Sequence, residues 1–281
     1  MRRAVLITGA GSGIGLATAR DLADMGYKVF GTCLTDAELA QAKAEEIPDI
    51  HWLMMDISDP ASIQNAFVAV SATISDQGLD GLVNNAGVDI PGPLEFLPLD
   101  AFRKQLEINV VGHLAVTQAF LPLIRRARGR IVFTGSIDGR AVTPFQGAYG
   151  TSKHGIEALA DVLRMELSDW GIWVSVVQPG DIATPIWRKS LDLAEQMRAQ
   201  LPEQAHEFYG PTMTAALSTA RKMSQRAAPP QTVSKAIVRA LTASKPRARY
   251  MVGWDARLRL ALEILPSRWL DRIIMGFIRK G

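Results

Sequence analysis

Residues 3–15 read RAVLITGAGSGIG, a short apolar segment followed by a glycine-rich turn and the start of a helix-like run. The glycines at positions 9, 13 and 15 have the spacing G-x-x-x-G-x-G. A turn without side chains lets the backbone approach a pyrophosphate, which then sits at the positive N-terminal end of the next helix. This stretch therefore predicts a dinucleotide site at the first strand–helix junction of a parallel sheet.

Outward from this turn, strand-like and helix-like runs alternate along the chain, which is typical of βαβ units. The predicted strands are Arg3–Thr8, Lys28–Cys33, Ile50–Met55, Leu79–Val83, Arg130–Thr134 and Ile172–Val177. The predicted helices are Ile14–Met25, a helix from about Asp36, Asp59–Ser75, Leu99–Arg126 and Ala148–Trp170. We expect an α/β fold, a single-domain Rossmann-type doubly wound parallel sheet.

The expected sheet order is 3-2-1-4-5-6, with a seventh strand near Arg249–Val252. Residues 1–253 would form the dinucleotide-binding catalytic domain, in which the less regular segment 181–230 covers the substrate. Residues 254–281 would form an amphipathic, basic and helical C-terminal extension of the same domain.

The composition excludes several classes of protein. The chain has 281 residues, 48% hydrophobic and 21% charged, which excludes a disordered or low-complexity chain. A single cysteine excludes an internal disulfide and a cysteine-based zinc cluster, and the four histidines show no ligand spacing, so we expect no metal site. We find no signal segment and no apolar run of about 18 residues. A cytoplasmic location is therefore expected.

The charge is distributed unevenly. The net charge is +3, but the residues from Gln231 onward carry +8 and residues 1–230 carry −5. The basic residues alternate with apolar ones, which is typical of an amphipathic helix. The apolar residues are Leu258, Leu260, Leu262, Ile264, Leu265, Trp269, Leu270, Ile273, Ile274 and Phe277.

Three interpretations of this apolar face remain open: a lid over the substrate, a subunit contact, or weak association with a membrane surface. A nucleic-acid partner is not expected, because no nucleic-acid-binding module is recognisable.

Small or polar residues end or follow the predicted strands, where ligands bind in a doubly wound sheet. They are Cys33, Asp56, Asn84, Ser136 and the pair Pro179-Gly180. In addition, Tyr149 and Lys153 lie four residues apart on a predicted helix and share one face. An ammonium near a phenol stabilises the phenolate, and each unit of lowered pKa corresponds to about 1.4 kcal/mol. The pattern indicates acid/base chemistry in the crevice.

Together these motifs resemble the short-chain dehydrogenase/reductase family over residues 3–252. The matching positions are Thr8–Gly15, Asp56-Ile57, Asn84–Gly87, Asn109, Ser136, Tyr149-x-x-x-Lys153 and Pro179-Gly180-x-x-x-Thr184. Gly31–Thr35 and Arg249–Leu258 resemble its retinol and 17β-hydroxysteroid dehydrogenase-like branch.

The resemblance implies hydride transfer between a nicotinamide cofactor and an alcohol. Tyr149 would be the general acid/base, and Ser136 would hold the substrate oxygen. Lys153 would bind the nicotinamide ribose and lower the pKa of Tyr149. Asn109 would support a water that passes the proton to solvent, or alternatively would be a helix-kink residue bonding its own backbone.

The same resemblance assigns a cofactor-binding set, in which Asp56 would meet the adenine and Thr184 the carboxamide region. The set is Gly9, Ser12, Gly13, Ile14, Gly15, Cys33, Asp56, Ile57, Asn84, Ala86, Gly87, Tyr149, Lys153, Pro179, Gly180, Ile182 and Thr184. It also implies a homo-oligomer, a dimer or tetramer, paired through the helices near 99–126 and 148–170.

The cofactor is predicted to be NAD, with NADP left open. Cys33 takes the place of the acid that would bind the adenosine hydroxyls, and neither Ser12 nor Leu34 supplies an arginine for a 2′-phosphate. Binding the 2′-phosphate of NADP without a neighbouring cation would cost more free energy than binding the ribose hydroxyls of NAD without a neighbouring acid.

The substrate is predicted to be a hydrophobic secondary alcohol or ketone, steroid- or retinoid-like in size. Candidate contacts are Asp138, Ile186, Trp187, Phe208, Tyr209, Met213 and Leu217, whereas Asp89 is expected at the solvated rim. The alternatives are a dehydrogenase for a polar alcohol and a non-catalytic nucleotide-binding scaffold or redox sensor. The presence of all four catalytic residues favours an enzyme.

Overall fold

A seven-stranded parallel sheet forms the centre of the molecule. The structure is a computed structural model that describes residues 2–280. The strands are β1 (Ala4–Ile7), β2 (Lys28–Cys33), β3 (Ile50–Met54), β4 (Gly81–Asn84), β5 (Arg130–Thr134), β6 (Trp173–Pro179) and β7 (Arg249–Val252). Their order is β3-β2-β1-β4-β5-β6-β7, and every pair is parallel. The predicted order and the predicted seventh strand are confirmed.

Helices cover both faces of the sheet. They are α1 (Gly13–Asp24), α2 (Asp36–Ala44), α3 (Pro60–Ile74), α4 (Leu99–Leu106), α5 (His113–Ala127), α6 (Gly147–Glu166), α7 (Pro185–Ala199), α8 (Glu203–Arg226), α9 (Gln231–Thr242), α10 (Trp254–Leu262) and α11 (Ser267–Lys280). All four residues of β1 are buried, so its sequence is apolar throughout rather than alternating.

Two apolar clusters lie on opposite sides of the sheet, because successive strand residues point to opposite faces. Leu6 packs in the cluster beneath α3, α5 and α6, and Ile7 in the cluster beneath α1 and α9. The fold therefore fixes the strand ends, where the site is built, on a rigid core.

A π-helical turn, Glu107–Gly112, separates α4 from α5, whereas the sequence pattern predicts one continuous helix, Leu99–Arg126. Such turns are frequent at functional sites. By length and composition the run 99–127 could cross a membrane. However, Val116, Phe120 and Ile124 are fully buried in the sheet-facing cluster, so this run is a core helix of the domain.

The segment 181–230 is more regular than its sequence indicates. The helices α7 and α8 occupy most of it, and the expectation of irregular structure is wrong. Few residues of either helix are fully buried, so neither shows a clear apolar stripe. Proline at the first position of α7 and within α8 also obscures the helical pattern.

The C-terminal extension consists of α10 and α11, as predicted. Helix α10 contacts β7 and the short 3₁₀ turn Ile137–Gly139 that follows β5, whereas α11 contacts α8. The extension therefore reaches both the substrate-covering segment and the loop that carries Ser136.

Candidate active site

The glycine-rich turn leaves room for a phosphate at the N-terminus of α1. Gly9 and Gly13 have φ angles of +63° and +55°, which favour glycine. A Cβ on Gly15 would lie 2.3 Å from the carbonyl oxygen of Gly9. The side chain of Ser12, the N-cap residue, makes no capping hydrogen bond to α1. The turn thus has the cradle that a dinucleotide pyrophosphate requires.

Thr184, the N-cap of α7, lies across from this turn. A Cβ on Gly13 would lie 3.2 Å from Thr184 Cγ2, so the two segments are close neighbours. Ile182 just before it is buried and forms an isolated parallel bridge with Ala228. The structure therefore brings the predicted residues of the first and sixth strand ends together.

Asn85 joins the end of β4 to the glycine-rich turn. Its Nδ2 donates to the carbonyl oxygens of Thr8 and Gly9 at 3.0 and 3.1 Å. In return Thr8 Oγ1 accepts from the backbone N–H groups of Asn85 and Ala86, both at 2.9 Å. The predicted site set omits Asn85, although it lies between Asn84 and Ala86; Asn84 instead donates to Thr117 Oγ1 at 2.9 Å.

A carboxylate from the first turn of α2, which the sequence analysis missed, lies beside the end of β2. Glu38 Oε2 accepts from the backbone N–H of Leu34 at 3.1 Å, and Lys189 Nζ lies 3.4 Å from Glu38 Oε1. The signal was the pattern Thr35-x-x-Glu38, since Thr35 caps α2 by accepting from Glu38 N at 3.2 Å. Burial, and then Glu38, raise the pKa of Cys33 to about 11, so the thiol is neutral.

Asp56 and Ile57 follow β3 at the same edge of the sheet. Asp56 Oδ1 accepts from the backbone N–H and the hydroxyl of Ser58, at 2.8 and 2.7 Å. Its carboxylate is thus held in a local turn, and Ile57 is buried. The remaining predicted residues, Ala86, Gly87, Pro179 and Gly180, lie at the ends of β4 and β6.

Asn109 is fully buried in the π-helical turn and is fixed by three hydrogen bonds. Its Oδ1 accepts from Val88 N at 2.9 Å, and its Nδ2 donates to Val88 O at 2.9 Å and to Ser152 Oγ at 3.1 Å. These partners belong to the β4 loop and to α6, so Asn109 does not bond its own helix.

Lys153 is 4% exposed and points along α6 toward the end of β5. Its Nζ donates to the carbonyl oxygen of Thr134 at 2.9 Å and lies 5.5 Å from the centroid of the Tyr149 ring. Burial lowers the pKa of Lys153 to about 8, although Asp89 and Asp138 partly oppose this effect.

Tyr149 is a neutral phenol in this structure. Burial raises its pKa above the ordinary value, and the nearby carboxylates of Asp89 and Asp138 raise it further. A side-chain hydrogen bond with Ser136 and the charge of Arg259 act in the opposite direction. A protonated phenol beside a serine hydroxyl is suited to donate a proton to a substrate oxygen.

Asp138 is paired within the protein rather than open to the pocket, and its role as a substrate contact stays a prediction. Its carboxylate pairs with Arg259 of α10, and its side chain is 16% exposed. Its backbone N–H donates to Ser136 Oγ at 3.1 Å. Asp138 is thus occupied within the protein, directly behind the predicted catalytic serine.

The sequence predicts Asp89 at the solvated rim. In the structure this residue is half-buried instead. Its Oδ2 accepts from Ser190 Oγ of α7 at 2.7 Å, and Gln146 Nε2 lies 3.4 Å away. Burial raises the pKa of Asp89 to about 6. Its Oδ1 is buried and has no hydrogen-bond partner among residues 2–280.

The predicted substrate contacts from the segment 181–230 differ in burial and in the residues they touch. Trp187 is half-buried in the first turn of α7, and Met213 is 6% exposed. Tyr209 packs against Phe96 and Phe145 and donates to Glu95 Oε2 at 2.6 Å, so it joins α8 to the loop after β4. Phe208 is 53% exposed, and its role as a pocket residue stays a prediction.

Comparison with known proteins agrees with this arrangement. The profile of the family described as short chain dehydrogenase matches residues 3–194. Human retinol dehydrogenase 5 is 38% identical over 98% of this chain and 89% of its own length. Human 17-beta-hydroxysteroid dehydrogenase type 6 is 37% identical over 96% of this chain and 87% of its own length.

Among solved structures, a short-chain dehydrogenase from Streptomyces avermitilis superimposes with a TM-score of 0.77 at 26% identity. The match covers 100% of this chain and 98% of that one. The protein therefore belongs to the short-chain dehydrogenase family and is an oxidoreductase that uses a nicotinamide cofactor.

Proposed function

We propose that the protein transfers hydride reversibly between NAD and a large hydrophobic alcohol/ketone pair, steroid- or retinoid-like in size. The observation that carries this proposal is the placement of Ser136, Tyr149, Lys153 and Asn109 at the sheet edge that also holds the glycine-rich turn. Acid/base groups and a dinucleotide cradle in one crevice suit hydride transfer.

The protein's own residues handle the proton in this mechanism. The bound nicotinamide supplies the hydride in reduction and accepts it in oxidation. Tyr149 gives its proton to the carbonyl oxygen during reduction and takes it back during oxidation. The Ser136 hydroxyl donates to the same oxygen, and Lys153 compensates the phenolate that Tyr149 becomes. Asn109 holds Val88, in the loop after β4, and Ser152, on the helix that carries Tyr149 and Lys153, by hydrogen bonds.

NAD is the proposed cofactor because the carboxylate of Glu38, in the first turn of α2, lies beside the end of β2. Glu38 lies beside Leu34 and the turn residue Gly11, since a Cβ on Gly11 would lie 3.6 Å from Glu38 Cβ. A carboxylate accepts hydrogen bonds from ribose hydroxyls and repels a 2′-phosphate. Lys189 is already paired with Glu38, so a phosphate would have to displace that pair.

A hydrophobic substrate is supported by the covering segment and by the relatives. Ile186, Trp187 and Leu217 are half-buried, and Met213 is buried. Apolar surface removed from water contributes about 25 cal/mol per Å², which favours a large apolar ligand. The two human relatives are named for retinol and for 17-beta-hydroxysteroids.

Asp89 favours a second class of substrate, an alcohol or ketone that carries an additional hydrogen-bond donor. The unpartnered Oδ1 of this residue can accept a hydrogen bond from a hydroxyl or amine elsewhere on the substrate. A ketone or alcohol with such a donor would satisfy a buried oxygen that otherwise costs free energy.

A substrate panel tests the proposal and separates these classes. We would assay oestradiol, retinol, an amino-substituted secondary alcohol and the polyol sorbitol with NAD, following the absorbance of the reduced cofactor. We expect the highest kcat/KM for oestradiol, a secondary alcohol that is oxidised to a ketone. A higher value for retinol would keep the hydrophobic class but change the product from a ketone to an aldehyde. A preference for the amino alcohol would select the second class, and a preference for sorbitol would overturn the hydrophobic assignment.

We further propose a cytoplasmic homo-oligomer. Val162 and Met165 of α6 are 46% and 63% exposed, which supports a contact through the long helices. Sedimentation at micromolar concentration should show a species larger than the 30.6 kDa chain, and a monomer alone would contradict the assembly.

The exposed Trp269, Ile273 and Phe277 of α11 lie among arginines, which supports weak binding of this helix to anionic membrane surfaces. Cell fractionation should place the protein in the cytoplasm, with a minor, salt-sensitive membrane fraction.

A further inference from the structure

One face of α10 lies against the two loops that complete the crevice. Asp255 and Arg259 are four residues apart and therefore project from the same side of the helix. Between them, Ala256 is fully buried and packs with Ile137 and Ala141 of the loop after β5. Helix α10 is thus part of the wall behind Ser136.

Arg259 reaches the segment that carries the serine. Its Nη2 donates to Asp138 Oδ1 and to the carbonyl oxygen of Ala141. The side chains of the ion pair are 22% and 16% exposed, so water screens the interaction only partly. The other carboxylate oxygen of Asp138 lies 3.4 Å from Ser136 Oγ. The Arg259 guanidinium therefore both compensates the charge of Asp138 and holds the backbone of the loop next to Ser136.

Asp255 supports the loop after β6 in the same way. Its Oδ2 accepts from the backbone N–H of Asp181 at 2.7 Å. A Cβ on Gly180 would lie only 1.8 Å from that oxygen, so this glycine is required for the contact. The loops after β5 and β6 are thus held by two residues one helical turn apart.

Several charged groups surround Asp138 and Tyr149. Asp89, from the loop after β4, acts on Tyr149. Asp138 acts on Asp181 of the loop after β6, and Asp181 in turn lies near Asp255 of α10. The described cations that act on this group are Lys153 and Arg259. Without Arg259, the Asp138 carboxylate would be uncompensated, would attract the Ser136 hydroxyl, and would disfavour the phenolate of Tyr149.

We propose that Arg259 is a positioning residue of the reaction: it neutralises Asp138 and holds the 136–141 loop, so that the Ser136 hydroxyl remains available to the substrate oxygen. This inference rests on the proposed function, because it assumes that Ser136 and Tyr149 act on that oxygen. It assigns a role in the reaction to the C-terminal extension, far in sequence from the catalytic motifs.

The test compares R259M, R259K, D138N and the double variant D138N/R259M in the oxidation of oestradiol with NAD. We expect R259M to lower kcat about tenfold, with KM for NAD little changed. The acidic limb of the kcat profile should move up by about one pH unit, since Tyr149 must lose its proton in oxidation. R259K should restore part of kcat. In D138N/R259M the acidic limb of the kcat profile should lie close to its wild-type pH, because the uncompensated carboxylate is also removed.

A second readout does not require turnover. The ultraviolet absorbance of tyrosinate, titrated with NAD bound and with Y149F as the reference, should give a higher pKa for Tyr149 in R259M than in wild type. This shift would stand even if no alcohol in the panel were oxidised, a result that would defeat the proposed function alone.

The matched control is R257M, because Arg257 lies on the same helix and is exposed. It should leave kcat, the pH profile and the tyrosinate titration unchanged. If R259M lowers only the melting temperature and leaves both the pH profile and the titration unchanged, Arg259 has a purely structural role and the proposal is wrong. Equal effects of R257M and R259M would also overturn it.

Discussion

At the scale of single residues, burial acts in opposite directions on the two groups that handle the proton. It raises the pKa of Tyr149 and lowers that of Lys153 to about 8. Both shifts favour the uncharged forms, because desolvation penalises charge. A positively charged nicotinamide bound beside them would favour the phenolate, so proton transfer and cofactor redox state are physically linked.

Replacing Tyr149 by phenylalanine tests the acid/base role. Y149F removes the hydroxyl and preserves the ring that packs near Lys153. We expect the rate to fall at least about 100-fold, within the usual range for general acid/base catalysis, while NADH still binds. Steady-state kinetics and NADH fluorescence titration measure the two effects. Turnover near the wild-type rate would refute the mechanism.

Replacing Glu38 by glutamine tests the proposed cofactor preference. E38Q keeps an acceptor for Leu34 N, removes the negative charge and frees Lys189 to meet a phosphate. We expect the ratio of kcat/KM for NAD to that for NADP to fall about tenfold or more, equivalent to about 1.4 kcal/mol.

The control for E38Q is E45Q, at the C-terminal end of the same helix, where Glu45 pairs with Arg20 on the surface. It should leave the ratio unchanged. A wild-type preference for NADP would show that Glu38 does not exclude the 2′-phosphate.

At the scale of elements, regular helices and strands were predictable where a single period dominates the sequence. The six strands, α1 and α3 followed from apolar runs and from the Asp59 cap, which accepts from Ala61 N and Ser62 N. The π-helical turn at Asn109 was not predictable, because its residues fit an ordinary helix equally well. Helices α7 and α8 were missed because their burial depends on distant partners such as Asp89 and Glu95.

Removing α11 separates the roles of the two C-terminal helices. A chain ending after Leu265 keeps Arg259 and Asp255 but loses the helix that contacts α8. We expect KM for oestradiol to rise about threefold or more while kcat changes little, as expected when only ground-state binding is lost.

A chain ending after Gly253 should also lose kcat, because it lacks Arg259. The exposed Ile264, substituted by serine, is the control for lost apolar surface at the same end of the molecule. If both truncations lower kcat equally while KM is unchanged, α11 does not cover the substrate.

At the scale of the whole molecule, the parallel sheet collects residues from distant parts of the chain at one edge. Ser136 and Gly180 were predictable as candidate site residues because each lies just after a strand, and strand ends meet there. The pairs Arg259–Asp138 and Glu38–Lys189 were not predictable, since each joins residues more than 100 positions apart. Their contact depends on how whole helices pack, which no local pattern encodes.

The stability of the whole molecule should depend on pH through His113. This residue is fully buried, its Nε2 donates to Ala86 O at 2.6 Å, and burial lowers its pKa to about 3. In the unfolded chain His113 therefore binds a proton near pH 6.5, whereas in the folded chain it stays neutral at that pH. Stability is fully present above pH 6.5 and falls as the pH drops toward 3, by at most about 1.4 kcal/mol per pH unit.

Asp89 and Asp181 act with the opposite sign, because burial raises the pKa of each to about 6. Their contribution is therefore present at low pH and is lost as the pH rises through 6. Urea denaturation of wild type and H113Q between pH 4 and 8 isolates the histidine, since glutamine can still donate to Ala86 O. We expect the free energy of unfolding of H113Q to fall less on acidification, whereas H154Q, at an exposed site, should follow wild type.

The position of Arg259 after β7 has a consequence for synthesis on the ribosome. The chain emerges from its N-terminal end, so the glycine turn, Ser136, Tyr149 and Lys153 all appear before α10. Any nascent chain that ends before residue 259 contains Asp138 without its partner, although the residues of the dinucleotide cradle have already been synthesised. Cofactor binding would then precede catalytic competence during translation, and a bound dinucleotide could stabilise the growing domain before the enzyme can turn over any alcohol.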